Sequence, residues 1–155
     1  KDSLLIHKTT ARNNKNGGNM GRYKTVEEAR EQFKKDLFAT ENGIGIEELS
    51  DELCICSVEL SDRHKNAYGG VMGGAIFTLG DLAFAVASNN RHYPTVAQQV
   101  SINYLSAAKG KKLYAKAVCK KDGRTTCVYN VDIYDETGRD VAQFIAEGYK
   151  LPQGQ

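Results

Sequence analysis

Asn66 opens a stretch that carries the chemistry of this chain: Asn-Ala-Tyr-Gly-Gly-Val-Met-Gly-Gly-Ala-Ile-Phe-Thr-Leu-Gly-Asp, ending on Asp81. Gly69, Gly70, Gly73 and Gly74 crowd a turn, and an apolar run follows directly. A helix beginning at such glycines presents backbone N–H groups with no partner inside the helix, at the positive end of its dipole. That end suits a carbonyl oxygen or an anion. Asp81 lies about two turns further along the same apolar helix, where a carboxylate is costly unless it has a partner or a task. The pattern therefore offers an electrophile holder at Gly73 and a base or nucleophile at Asp81.

Each of these residues has a plainer use. Asp81 could cap a loop or pair with a lysine. Asn66 suits a turn, since Asn-x-x-Gly favours loops, but it could also hydrogen-bond a substrate or a water. Met72 is expected to pack against substrate or core. His64 and His92 flank the stretch; exposed loop positions are expected, although either could supply an imidazole. His7 falls in the polar N-terminal region and carries no signal. Lys109, Lys111, Lys112, Lys120, Lys121 and Arg124 fall at strand ends and turns, where a solvated rim is the usual outcome.

The elements that position these residues follow from the periodicity. Residues 1–24 are polar and rich in Asn, Lys and Gly, and read as a flexible arm with a short apolar anchor at Leu4-Leu5-Ile6; residues 25–155 read as one domain. Thr25 and Glu28 form a capping box that starts a helix running to about Thr40, with Val26, Ala29, Phe33 and Leu37 on one face. Strands are expected at Ile44–Leu49 and Glu52–Leu60. A long helix, apolar around nearly its whole circumference, follows over about Val71–Asn89. Four strands complete the chain at Val96–Leu105, Lys112–Lys121, Thr125–Tyr134 and Asp140–Lys150, with a turn at Asp122-Gly123. This order predicts an α+β fold: one antiparallel sheet wrapped around one central helix.

Bulk properties narrow the class. At 41% hydrophobic residues the chain can bury a core. A net charge of +2, without interleaved aromatics, argues against nucleic-acid binding. The apolar run from Val71 to Ala87 contains Asp81 and several glycines, so a core helix is expected and no membrane span. Cys54, Cys56, Cys119 and Cys127 show no metal-ligand spacing; neither a metal nor a cofactor is implied. Free thiols and no visible signal peptide make a cytoplasmic location the expectation.

Over about residues 30–151 the chain resembles the hotdog fold, and within it the PaaI-like acyl-CoA thioesterases. That family's pattern is Asn-x-x-Gly-x-x-His-Gly-Gly followed by Phe-x-Leu-Ala-Asp-x-Ala. Here the matching residues are Asn66, Gly69, Met72, Gly73 and Gly74, then Phe77, Leu79, Gly80, Asp81 and Ala83. Ser101 to Ala108 and Asp135 to Tyr149 are also similar. Met72 stands where the family has histidine, and Gly80 replaces an alanine, which is expected to loosen the helix slightly.

The resemblance implies acyl-CoA thioester hydrolysis. Asp81 would be general base or nucleophile, Gly73 N–H the oxyanion donor, and Asn66 a hydrogen-bond donor to thioester or water. Met72 and Gly74 would touch substrate. Thr95 is a candidate hydroxyl, and Lys120, Lys121 and Arg124 would hold the coenzyme A phosphates. Eight residues at 1.5 Å rise put Gly73 and Asp81 about 12 Å apart along one helix, too far to share one carbonyl carbon. An antiparallel copy of the helix in a second subunit closes that gap, so a two-fold dimer, paired further into a tetramer, is expected. Two rivals remain: a non-catalytic acyl-CoA-binding protein, and an enoyl-thioester hydratase or dehydratase, which would need the histidine that position 72 lacks.

Overall fold

The computed structural model describes residues 21–153. The Leu4–Ile6 anchor, His7 and most of the expected arm lie outside the described residues. The end of that arm, residues 21–24, is tied down: Arg22 N–H and Tyr23 N–H donate to the main-chain and side-chain oxygens of Asn90 at 2.7 and 3.0 Å, and Tyr23 is buried.

Helix α1 spans Val26–Phe33, and half of the expected capping box forms: Glu28 N–H donates to Thr25 Oγ1 at 3.1 Å, while the Glu28 carboxylate accepts at 2.8 Å from Lys24 N–H, one residue before the cap, in place of the Thr25 N–H of a full box. The helix does not continue to Thr40. It breaks at residues 34–36 and restarts as α2, Leu37–Thr40, with Asp36 as N-cap. The Asp36 side chain makes no capping hydrogen bond; the Asp36 carbonyl accepts from Ala39 and Thr40 N–H, both at 3.0 Å. The break rotates Leu37 and Phe38 outward, to 59% and 75% exposure, and turns Ala39 into the core.

Strands β1 (Ile44–Leu49), β2 (Leu53–Glu59), β3 (Thr95–Tyr104), β4 (Lys112–Asp122), β5 (Thr126–Asp135) and β6 (Asp140–Lys150) form one antiparallel sheet in the order β1-β2-β4-β5-β6-β3. A single turn of 3₁₀ helix, Asp62–His64, follows β2. Helix α3, Gly73–Arg91, crosses the concave face. Register places Cys54, Ala117, Val131 and Phe144 in one row across β2, β4, β5 and β6, and Cys56, Ala115, Ile133 and Ala142 in the next. These side chains are buried; the small Cys and Ala members let α3 lie close. Gly80 belongs to the same contact. A Cβ there would stand 3.0 Å from Phe144 Cδ2 and 3.1 Å from Ile133 Cδ1, so its hydrogen side chain buys close approach, not the looseness expected from its low helix propensity.

The far end of α3 is held by side-chain amides. Asn89 accepts from Thr95 N–H at 2.9 Å and donates to Thr95 O at 3.0 Å, while buried Asn90 holds residues 22 and 23. No helix among the described residues is long and apolar enough to cross a membrane. The four cysteines are free thiols.

Candidate active site

The glycine turn is built by Asn66. Its Oδ1 accepts from Tyr68 N–H at 2.9 Å and Gly70 N–H at 3.1 Å, and its main chain exchanges bonds with Gly69 and Gly70. Gly69 sits at φ +82°, a conformation that side chains with a Cβ rarely adopt. Asn66 Nδ2 has no partner among the described residues. The chain then passes through Met72, in extended conformation, into α3.

The first turn of α3 leaves donors uncommitted. Ala75 and Ile76 N–H return to Met72 O, whereas Gly73 and Gly74 N–H meet no acceptor among the described residues. Met72 offers no side-chain cap. The Tyr104 hydroxyl donates to Gly73 O at 3.0 Å, joining the end of β3 to the start of α3 through the carbonyl and leaving the Gly73 N–H open. This is the arrangement an oxyanion requires.

Gly74, Thr78, Asp81 and Ala85 follow one another at helical spacing, and together they form the stripe of α3 that the sheet leaves uncovered. Thr78 Oγ1 folds back onto Gly74 O at 2.8 Å. Asp81 is half-buried and makes no hydrogen bond or ion pair among the described residues, so it caps no loop and pairs with no lysine there. Burial, and secondarily the negative charge of Asp36, push its pKa above the usual carboxylate value. Asp36 shares a groove of about 300 Å³ with Asp81, walled also by Phe38 and Thr78. A second cavity, of about 310 Å³, opens beside the helix start against Ile44, Val58, Met72, Gly74 and Phe77.

The remaining predicted residues sort by distance from this helix start. His64 is buried, not an exposed loop residue. Ser61 N–H donates to its Nδ1 at 3.0 Å, which leaves the proton on Nε2, donating to Asn42 O at 2.7 Å. Its carbonyl accepts from Met72 N–H at 2.8 Å. With both ring nitrogens committed, His64 positions the turn and does not replace the imidazole missing at Met72.

Thr95, His92, Lys120, Lys121 and Arg124 all gather at the opposite end of α3, ~27 Å from Gly73 by helical rise. Thr95 is buried and its hydroxyl donates to His92 O at 2.6 Å. The β4–β5 hairpin carrying the two lysines and Arg124 is fixed there by Arg91, 3.6 Å from Asp122, and by Lys150, also paired to Asp122. Lys120, Lys121 and Arg124 are exposed and form no ion pair among the described residues. Lys112, by contrast, bridges Glu47 at 2.9 Å on the far side of the sheet and is structural. No cluster of metal-ligating side chains occurs among the described residues.

Comparison with known proteins decides the family. Residues 68–142 match the model of the thioesterase superfamily. The putative esterase ComA2 of Bacillus subtilis is 32% identical over 101 residues, 63% of this chain and 80% of that protein. The chain belongs to the thioesterase superfamily. Within that superfamily it is PaaI-like: the acyl-coenzyme A thioesterase PaaI of Escherichia coli is 26% identical over 130 residues, 83% of this chain and 93% of that protein. The crystal structure of a hypothetical thioesterase from Streptococcus pneumoniae, solved with coenzyme A, superposes with a TM-score of 0.73 at 33% identity, over 81% of this chain and 98% of that one. The hotdog architecture expected from the sequence is the one observed.

Three residues that line the candidate site were not read from the sequence. Tyr104 lies on β3, and nothing in its spacing ties it to Gly73. Asp36 and Phe38 reach the site only because the first helix breaks between residues 33 and 37. An Asp within an otherwise helical run was the available hint.

Proposed function

We propose that this chain hydrolyses acyl-CoA thioesters at a site shared by two copies related by a two-fold axis. The reading rests on one observation: open N–H donors at Gly73 and Gly74 and an unpartnered carboxylate at Asp81 lie on one uncovered stripe of α3, about 12 Å apart. An antiparallel partner helix supplies the missing half of each site. The thioester carbonyl accepts from Gly73 N–H, with Asn66 Nδ2 as a second donor to the carbonyl or the water. The partner's Asp81 takes a proton from water, which attacks the carbonyl carbon; the C–S bond breaks and the thiolate of coenzyme A takes that proton back from the carboxyl, leaving as the thiol. Direct attack by the carboxylate, through a mixed anhydride that water then opens, uses the same geometry.

The same packing gives the distant hairpin a role. With the partner's Asp81 level with Gly73, ten further residues carry the partner's Arg91 and its hairpin ~15 Å past the helix start. That sets Lys120, Lys121 and Arg124 of the partner at the mouth, where the coenzyme A phosphates would lie. Thr95 contributes only by holding the end of α3. The free, mostly buried thiols favour a reducing, cytoplasmic setting.

Thiol release from a panel of acyl-CoA esters tests the reading. The wild type is expected to turn over, and Asp81→Asn to lose at least ~10²-fold in kcat while remaining folded. Binding without release by the wild type would point to a non-catalytic acyl-CoA-binding protein; hydration of an enoyl-CoA would point to a hydratase.

A further inference from the structure

We propose that Met72 makes this site selective for acyl groups that carry no polar substituent near the carbonyl, by completing an apolar lining around the space the acyl chain enters. This rests on the thioesterase reading of the site. A Cβ added at Gly74 would stand 3.7 Å from Met72 Cε, so the methionine's methyl end lies over the bare glycine, next to the open N–H donors. Met72 also walls the cavity of about 310 Å³ beside the helix start. It is the N-cap of α3, yet its side chain neither caps the helix nor enters the core, and 53% of the residue is exposed. The position serves the fold through its backbone, and its thioether serves the cavity.

The chemistry of the occupant follows from the rest of the lining. A carbonyl held at Gly73 N–H sets its acyl substituent beside Gly74, where Ile44, Val58 and Phe77 form further walls. The polar side chains around this space are already engaged. His64 uses both ring nitrogens, Asn42 Nδ2 donates to Phe38 O at 2.6 Å, and Thr78 Oγ1 donates to Gly74 O at 2.8 Å. Arg63, exposed at the rim, donates to Glu41 O. No acidic side chain lines the cavity among the described residues. Met72 occupies the wall next to the carbonyl, and a thioether is only a weak acceptor. A hydroxyl close to the carbonyl would lose its water there and meet mainly hydrocarbon, whereas an unsubstituted chain loses nothing.

The test compares wild type, Met72→Gln and Met72→Leu on hexanoyl-CoA and 3-hydroxyhexanoyl-CoA, by thiol release and by binding of the corresponding non-hydrolysable thioether analogues. Glutamine keeps the unbranched shape of methionine and adds an amide; leucine keeps the apolar character. The wild type is expected to favour hexanoyl by about 10- to 100-fold in kcat/KM and in analogue binding, the range over which an apolar pocket rejects an added hydroxyl. Met72→Gln should reduce that ratio about tenfold, since its amide offers the hydroxyl a partner, and Met72→Leu should retain it. Replacing a side chain so exposed leaves the core intact, which circular dichroism verifies. Turnover with a wild-type ratio near one, or a ratio that Met72→Gln leaves unchanged, overturns the proposal and leaves the hydrolase reading standing. A ratio lost as fully in Met72→Leu as in Met72→Gln also overturns it, because shape and not polarity would then set the preference. The expected ratios in analogue binding without wild-type thiol release support Met72 as the acyl wall and overturn hydrolysis. Absence of both turnover and analogue binding overturns both.

Discussion

Asp81 carries its charge at a cost that a purely structural residue would avoid. It is half-buried, unpaired among the described residues, and faces a groove that also holds Asp36. Burial raises its pKa first, and the neighbouring negative charge adds to the shift. The acid limb of kcat/KM should therefore lie above the ordinary aspartate value of about 3.9, since the base must be ionised. Replacing Asp36 with Asn removes the repulsion and leaves the burial. The limb should move to lower pH while staying above that ordinary value, as a pH–rate profile of the variant will show; an unmoved limb would mean that the two carboxylates do not sense each other. The same shift bears on stability. A carboxyl whose folded pKa is raised contributes stability that is fully present below its unfolded pKa and is lost as pH rises through the folded one. At neutral pH the ionised Asp81 is thus a liability, and Asp81→Asn should melt no lower than the wild type. A clear drop in Tm at pH 7 would assign Asp81 to the fold and not to chemistry.

The elements differ in how plainly the sequence announces them. Strands such as β2 follow from their alternation and α3 from the length of its apolar run after the glycine turn, and each boundary falls within a few residues of its expected place. The Thr25 N-cap of α1 was equally plain, since Thr25 and Glu28 lie three residues apart and need no tertiary partner. What escaped depends on contacts between distant residues. The break at residues 34–36 sets the outward-turned Phe38 at the rim of the cavities beside α3, and Tyr104 reaches Gly73 across 31 positions. His64 looked like a loop residue because only the fold brings Asn42 O to its ring. For the candidate site, Asn66, Gly73 and Asp81 were proposed from one stretch, whereas Asp36, Phe38 and Tyr104 came into view only with the fold.

One loop shows how a local polar pattern supports an element. Asp135, fully buried at the end of β5, accepts from the N–H groups of Lys109, Thr137 and Arg139 and from the Thr137 hydroxyl, so it joins the β5–β6 turn to the segment entering β4. Those donors hold its pKa far below the usual carboxylate range, the Thr137 hydroxyl contributing most. A depressed folded pKa contributes stability that is present above the unfolded value and is lost as pH falls through the folded one. Asp135→Asn should therefore lower Tm clearly at pH 7, and the difference from wild type should shrink as the pH drops below about 4. A gap independent of pH would mean that the amide fails for reasons of shape and not of charge.

At the scale of the whole molecule, the proposed mechanism makes one copy an incomplete enzyme. The sheet ends on β3, whose outer edge is unpaired among the described residues and whose exposed side chains include Val96 and Tyr104, with Leu105 just beyond. The start of α3 holds the open N–H donors of Gly73 and Gly74, and Asp81 lies about 12 Å along from Gly73. If two chains share each site, damage to the two halves should be complementable. Gly73→Pro removes the oxyanion donor at small structural cost, because position 73 is the first residue of α3, Met72 before it is already extended at φ −65° and ψ 131°, and proline is favoured there. The Tyr104 hydroxyl, 3.0 Å from a Cβ at this position, belongs to a half-exposed side chain that can swing aside. Alone, Gly73→Pro should lose about 10²–10³ in kcat. Mixed with Asp81→Asn and allowed to exchange subunits, it should recover activity. Each mixed dimer holds one site with both defects and one with neither, so random exchange restores about a quarter of the wild-type rate. Light scattering should show at least twice the 17.0 kDa of the chain. Two inactive variants that stay inactive after verified exchange would place Gly73 and Asp81 of the same chain in one site, and the shared-site mechanism would fall.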